Sequence, residues 1–177
     1  MKEDAKAADP RLRRLARNID ALAGKDEQVM RRAREIDELR RHAAHEIFAL
    51  CAAFVDDLNE LLAEPVVTLD PPAFAPERFS DLAATLLQIN VRGRILQVEF
   101  KATPELLSTE DFRIPYTLSG SVRAFNQALL DKDLIEEQLL FHTVERQQRM
   151  WRYFDPRTYH SGTFDRDYLI GLLDQIV

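Results

Sequence analysis

Cysteine, glycine and long apolar runs are scarce in this chain, and each scarcity closes off a class of function. Cys51 is the sole cysteine among 177 residues, which excludes an internal disulfide, a CxxC redox pair and a zinc site built mainly from thiolates. Its neighbours Ala49, Leu50, Ala52 and Ala53 mark the thiol as a small buried hydrophobe. The five glycines, at positions 24, 93, 120, 162 and 171, lie too far apart to form a phosphate-cradling loop or a dinucleotide fingerprint. The longest apolar run, Ile47 to Val55, has nine residues, whereas a bilayer span needs about 18 to 20. Met1 to Lys6 are mixed in charge and lead into an arginine-rich stretch, unlike a secretory signal, so the expected location is the cytoplasm.

Chemistry-bearing constellations are thin as well. Ser119-Gly120-Ser121 lacks the strand-to-helix elbow of a hydrolase serine, and Asp56-Asp57 and Asp131-Lys132-Asp133 lack calcium-loop spacing. His42 and His45 share a helical face, but zinc would want a third strong ligand and the four-residue histidine spacing. Catalysis is therefore not the expected activity, and no cofactor or metal is implied.

What the chain does contain is ordered sequence. With 46% hydrophobic and 31% charged residues and a net charge of -6, it reads as one folded domain with room for a helical extension. Asp9-Pro10 is a helix start, because Asp caps free N–H groups and Pro gives up a donor that has no partner at the first helical position. Alternating steps of three and four from Leu12 through Leu61 meet twelve apolar residues in fifteen, a helical period throughout. Pro65 terminates the pattern. Residues 10 to 63 as one helix would run about 80 Å, against about 40 Å for the diameter of a compact chain of this length. The helix therefore either projects to meet a partner or breaks near Gly24-Lys25-Asp26, where Gly can end one helix and Asp can cap the next.

Charge subdivides that helix. Residues 10 to 41 hold ten basic and six acidic side chains, whereas His42 to Glu64 hold no Lys or Arg and a broad apolar surface. The expected organisation is a disordered N-terminus (1–9), a charged helical arm (10–41) and an antiparallel α+β domain (42–177) that includes a core helix at 42–63.

The prolines at 65, 71, 72 and 76 mark an extended connection, with a short edge strand at Val66 to Leu69. Leu87, Ile89 and Val91, then Leu96, Val98 and Phe100, alternate with polar residues about Arg92-Gly93 and predict a hairpin. A third strand is expected from Phe112 to Leu118, a short helix from Ala124 to Asp131, and a second hairpin from Leu134 to Val144 and Gln148 to Phe154. Asp155-Pro156-Arg157-Thr158 reads as a turn, and Asp165 as the cap of a final helix. The predicted fold class is α+β: a long N-terminal amphipathic helix on an antiparallel sheet of about four to five strands, with a short C-terminal helix.

Three functional readings follow. The leading one is a non-enzymatic protein-interaction or self-assembly module, a coiled-coil-forming homo-oligomer or binder of a partner helix, acting through Leu12, Leu15, Ile19, Leu22, Val29, Ile36 and Leu39. The second is a small-molecule-binding or catalytic domain with a pocket between sheet and core helix. It draws on the segment 146–160, which holds four arginines and four aromatics, and would use Tyr116, Arg149, Trp151 and Tyr153. The weakest is nucleic-acid binding, through that same segment or through the arm, where Asp20, Glu35, Asp37 and Glu38 interrupt the positive field. Strand alternation supplies a plainer account of the segment, with Arg149, Trp151 and Tyr153 on one face of a two-sided sheet and Met150, Arg152 and Phe154 on the other.

Overall fold

A computed structural model describes residues 9–107, 114–145 and 147–177. Helix α1 spans Pro10–Leu61 without interruption. Asp9 starts it, accepting the Arg11 N–H on its carboxylate at 2.9 Å and the Arg13 N–H on its carbonyl at 3.0 Å. Gly24 does not break it. A helical glycine costs only about 1 kcal/mol relative to alanine, and strong helix formers (Ala21, Leu22, Ala23, Lys25, Glu27 and Gln28) flank it on both sides. The expected disorder of residues 1 to 9 falls, except for Asp9, outside the described residues.

Seven strands follow α1: β1 (Val67–Asp70), β2 (Thr85–Val91), β3 (Arg94–Leu107), β4 (Tyr116–Asn126), β5 (Leu129–Glu145), β6 (Gln148–Asp155) and β7 (His160–Thr163). They form one antiparallel meander in which every strand pairs with its neighbour in sequence. The chain ends with helix α2 (Arg166–Asp174), whose cap Asp165 accepts the Tyr168 N–H at 3.0 Å.

The sheet has seven strands against the four to five expected: the short margins β1 and β7 make up the difference, and β4 and β5 run longer than expected. The segment expected as a short helix, Ala124 to Asp131, is the β4–β5 hairpin. Asn126 folds its side chain over the turn to accept the Ala128 N–H at 2.9 Å, and the Gln127 N–H reaches the carbonyl of Gly93 at 2.8 Å. Polar residues at the hairpin tip imitate a helix start when read alone. Strand β7 holds only His160-Ser161-Gly162-Thr163, too short and too polar to show alternation. The start of the third strand expected at Phe112 lies outside the described residues, and β4 is seen from Tyr116. The first hairpin turns where expected, with Arg92 at φ 51° and Gly93 at φ 87°, and Asn90 accepting the Gly93 N–H at 2.8 Å.

Two compact units divide the chain, Met1–Glu38 and Leu39–Val177. In the second, α1 buries Arg40, Ala43, Ala44, Ile47, Cys51, Phe54 and Val55. This is a helical stripe, and it joins Leu87, Ile89, Leu96, Val98, Phe100, Leu118, Val122 and Leu140 of the sheet and Leu169, Leu172 and Leu173 of α2 in one apolar cluster. Ala43 and Ala44 are fully buried, and such small side chains let the helix backbone come close to the sheet. The indole N–H of Trp151 on β6 donates to the Ala43 carbonyl at 2.8 Å. On the opposite face of the sheet Tyr116, Phe141 and Phe154 form a smaller cluster with Ile114 and Leu139.

The one charged member of the helix stripe is Arg40, whose side chain is 7% exposed. Its Nε donates to the Thr117 hydroxyl at 2.9 Å, one terminal nitrogen to the Asp81 carboxylate at 2.7 Å, and the other to the Thr103 carbonyl. Its fork thus reaches β3, β4 and the segment before β2, and its hydrogen bonds compensate for the desolvation of the charge. Arg40→Ala is expected to lower the stability of the folded chain by about 3 kcal/mol, because it leaves the Asp81 charge and the Thr103 carbonyl without this partner. Urea unfolding at neutral pH measures it, with Arg40→Lys expected to recover only part of the loss because an ammonium lacks the planar fork. A loss within experimental error would show that docking of the helix does not depend on this guanidinium.

Candidate functional site

The seam that α1 buries from Arg40 onward continues upstream with the same three- and four-residue steps. In the unit Met1–Glu38, Leu12, Leu15, Ile19, Leu22, Val29 and Met30 are between 55% and 67% exposed. Ile36 and Leu39 are half-buried. An exposed apolar side chain is ordinary when single. Here Leu12, Leu15, Ile19 and Leu22 follow one another at helical spacing along one exposed stripe, which Val29 and Met30 extend, so their exposure is not that of scattered single residues.

The four residues considered for a ligand pocket are divided between environments. Trp151 is in the core, packed at 5.0 Å against Phe100 and at 5.3 Å against the ring of His142, with its N–H committed to Ala43. Tyr116 lies on the other face of the sheet, in the cluster with Phe141 and Phe154. Tyr153 shares the helix-side face of β6 with Trp151, stacks on Tyr168 of α2 at 4.0 Å, and lines a polar cleft of about 500 Å³ with Gln138, Asp155 and His160. Arg149 is on the same face as Trp151 and Tyr153, paired in register with Val144, and is exposed. The structure thus brings Trp151 and Tyr153 onto one face and separates Tyr116 from both.

An apolar cleft of about 610 Å³ opens elsewhere in the Leu39–Val177 unit. It is lined by Phe54 and Leu58 of α1, Leu62 just after it, Val67 and Val91 of the first two strands, and Leu173 of α2, with Arg92, Arg94, Glu64 and Asp174 among its polar lining. The sequence offered no pointer to it, since its walls come from three stretches of chain far apart in sequence and its apolar wall residues read locally as core.

His42 and His45 are exposed, and no group of three or more His, Cys, Asp or Glu suited to a metal ion occurs among the described residues. His42 does have a neighbour that sequence spacing cannot reveal. His142 of β5 is 1% exposed, neither ring nitrogen has a hydrogen-bond partner, and its surroundings include the positive charges of Arg149 and His42. Burial, then those charges, hold its pKa down at about 4. The Cys51 thiol is pushed up to about 12 by burial, which suits packing and not reactivity. No helix among the described residues is long and apolar enough to cross a membrane.

Comparison with known protein families, characterised proteins and solved structures finds no match to this chain.

His142 makes stability depend on pH with a definite sign. Its folded pKa lies below its unfolded value of 6.5, so the unfolded chain takes up the proton first. The full contribution of the neutral ring is present above pH 6.5 and is lost as pH falls towards 4. The loss attributable to this side chain is expected to approach about 3 kcal/mol, measured by urea unfolding across that range. His142→Leu should flatten the profile. An unchanged slope in that variant would assign the acid sensitivity to other groups.

Proposed function

We propose that the protein is a non-enzymatic protein-interaction or self-assembly module that acts through the part of α1 preceding the sheet domain. The observation that carries this reading is the exposed stripe of Leu12, Leu15, Ile19, Leu22 and Val29. Burying such side chains stabilises by roughly 1.5–3 kcal/mol each when fully removed from water. A helix that leaves five of them in solvent gains most by pairing with another helix, seam to seam.

A second reading rests on a different observation, the apolar cleft between the end of α1, the first strands and α2. Its volume suits a small apolar ligand. Thermal-shift screening against apolar and amphiphilic metabolites tests that reading, with a rise in Tm that Leu58→Trp abolishes as the expected result for a ligand bound there.

For the leading reading, light scattering on the full chain is expected to give a mass above that of one copy. Leu15→Glu with Leu22→Glu should reduce it to one copy while far-ultraviolet circular dichroism and the urea midpoint of the sheet domain stay unchanged. A wild-type chain that remains a single copy at high concentration, and retains no partner helix, would end the proposal.

A further inference from the structure

Resting on the self-assembly reading, we infer that the partner of the stripe is a second copy of this chain, with its helix running antiparallel, Leu12 meeting Ile36, Leu15 meeting Ala33 and Ile19 meeting Val29. The register follows from the heptad positions. In steps of three and four, Leu12, Ile19, Asp26 and Ala33 occupy one seam position and Leu15, Leu22, Val29 and Ile36 the other. An antiparallel pair sets the first position against the second, so that Asp26 lies opposite Leu22. A parallel pair sets Asp26 against Asp26 in the seam, two like charges in a partly desolvated layer.

The charges outside the seam point the same way. The first two turns carry Arg11, Arg13, Arg14 and Arg17 with no carboxylate. Parallel pairing would place that cluster beside its own copy. Antiparallel pairing places it beside residues 31–38, in which Arg31, Arg32 and Arg34 are balanced by Glu35, Asp37 and Glu38, and the carboxylates fall level with Arg11 and Arg13. The overlap of residues 10–38 is roughly four heptads, enough for a helical pair to form.

Spin labels on introduced cysteines distinguish the arrangements, and the buried Cys51 thiol stays unlabelled. In copies labelled at Arg13→Cys, the two labels of an antiparallel pair are expected to be separated by about 33 Å along the axis. A mixture of Arg13→Cys and Glu35→Cys copies should add a distance too short for that separation. A short distance between the two 13-labels would overturn the antiparallel arrangement while leaving self-association standing. A chain of single-copy mass with no dipolar signal would remove both.

Charge reversal supplies an independent sign. Arg11→Glu with Arg13→Glu should weaken association about threefold at low salt, and adding Glu35→Lys and Asp37→Lys to the same chain should restore it. Tightening by the first pair would mean that it had relieved repulsion between like ends, the signature of parallel helices. Circular dichroism confirms that each variant keeps its helix.

Discussion

The guanidinium of Arg40 is the point at which the sheet domain is fastened together. An arginine inside an apolar helix–sheet interface is tolerated only if every part of its fork finds an acceptor. The acceptors come from Asp81, Thr103 and Thr117, which are dispersed over the chain. A helix sliding on a greasy sheet by one turn would lose little apolar contact, since Ile47, Cys51 and Phe54 could find other neighbours. It would lose all of Arg40's acceptors together. The bond from the Trp151 indole to the Ala43 carbonyl adds a second directional tie one helical turn along, from β6 instead of β3 and β4. Between them the two ties give a nonspecific apolar contact a single register.

Much of this architecture was legible because it is local. Helix period, the Asp9 and Asp165 caps, the Arg92-Gly93 turn and the alternation around it each depend on residues within a few positions, and each is found in the structure. What escaped was whatever depends on contacts between distant segments. Arg40 looked like an interruption in an apolar stripe, a residue to be replaced by Leu39 in the seam, because its acceptors lie 41 to 77 positions away. The proximity of His42 to His142 was invisible for the same reason. Ala124 to Asp131 misled in the opposite way: local propensity favoured a helix turn, and the long strands on either side, β4 and β5, overrode it by pairing.

The candidate sites divide along the same line. Leu12 to Val29 could be named from sequence because an exposed helical stripe uses the same spacing as a buried one; the structure adds that its side chains are in solvent. Tyr116 and Trp151 could not be allotted to opposite faces from sequence, because the irregular register between Tyr116 and Leu118 shifts the alternation by one residue there. The apolar cleft, drawn from α1, β1, the β2–β3 turn and α2, left no local trace at all.

The meander has one further consequence, at its margins. A sheet that is not closed leaves two rows of unpaired backbone groups, and long free edges recruit other sheets into fibres. Here both margins, β1 and β7, are only four residues long. Pro71 and Pro72 follow β1 and cannot donate to a ladder, so that edge cannot be extended towards the next loop. The long strands β3, β4 and β5 lie in the middle of the strand order, and β6 pairs with β5 from Leu139 to Glu145. At those two margins growth through the strands is disfavoured, so the helix association proposed above would not compete there with an open-ended one.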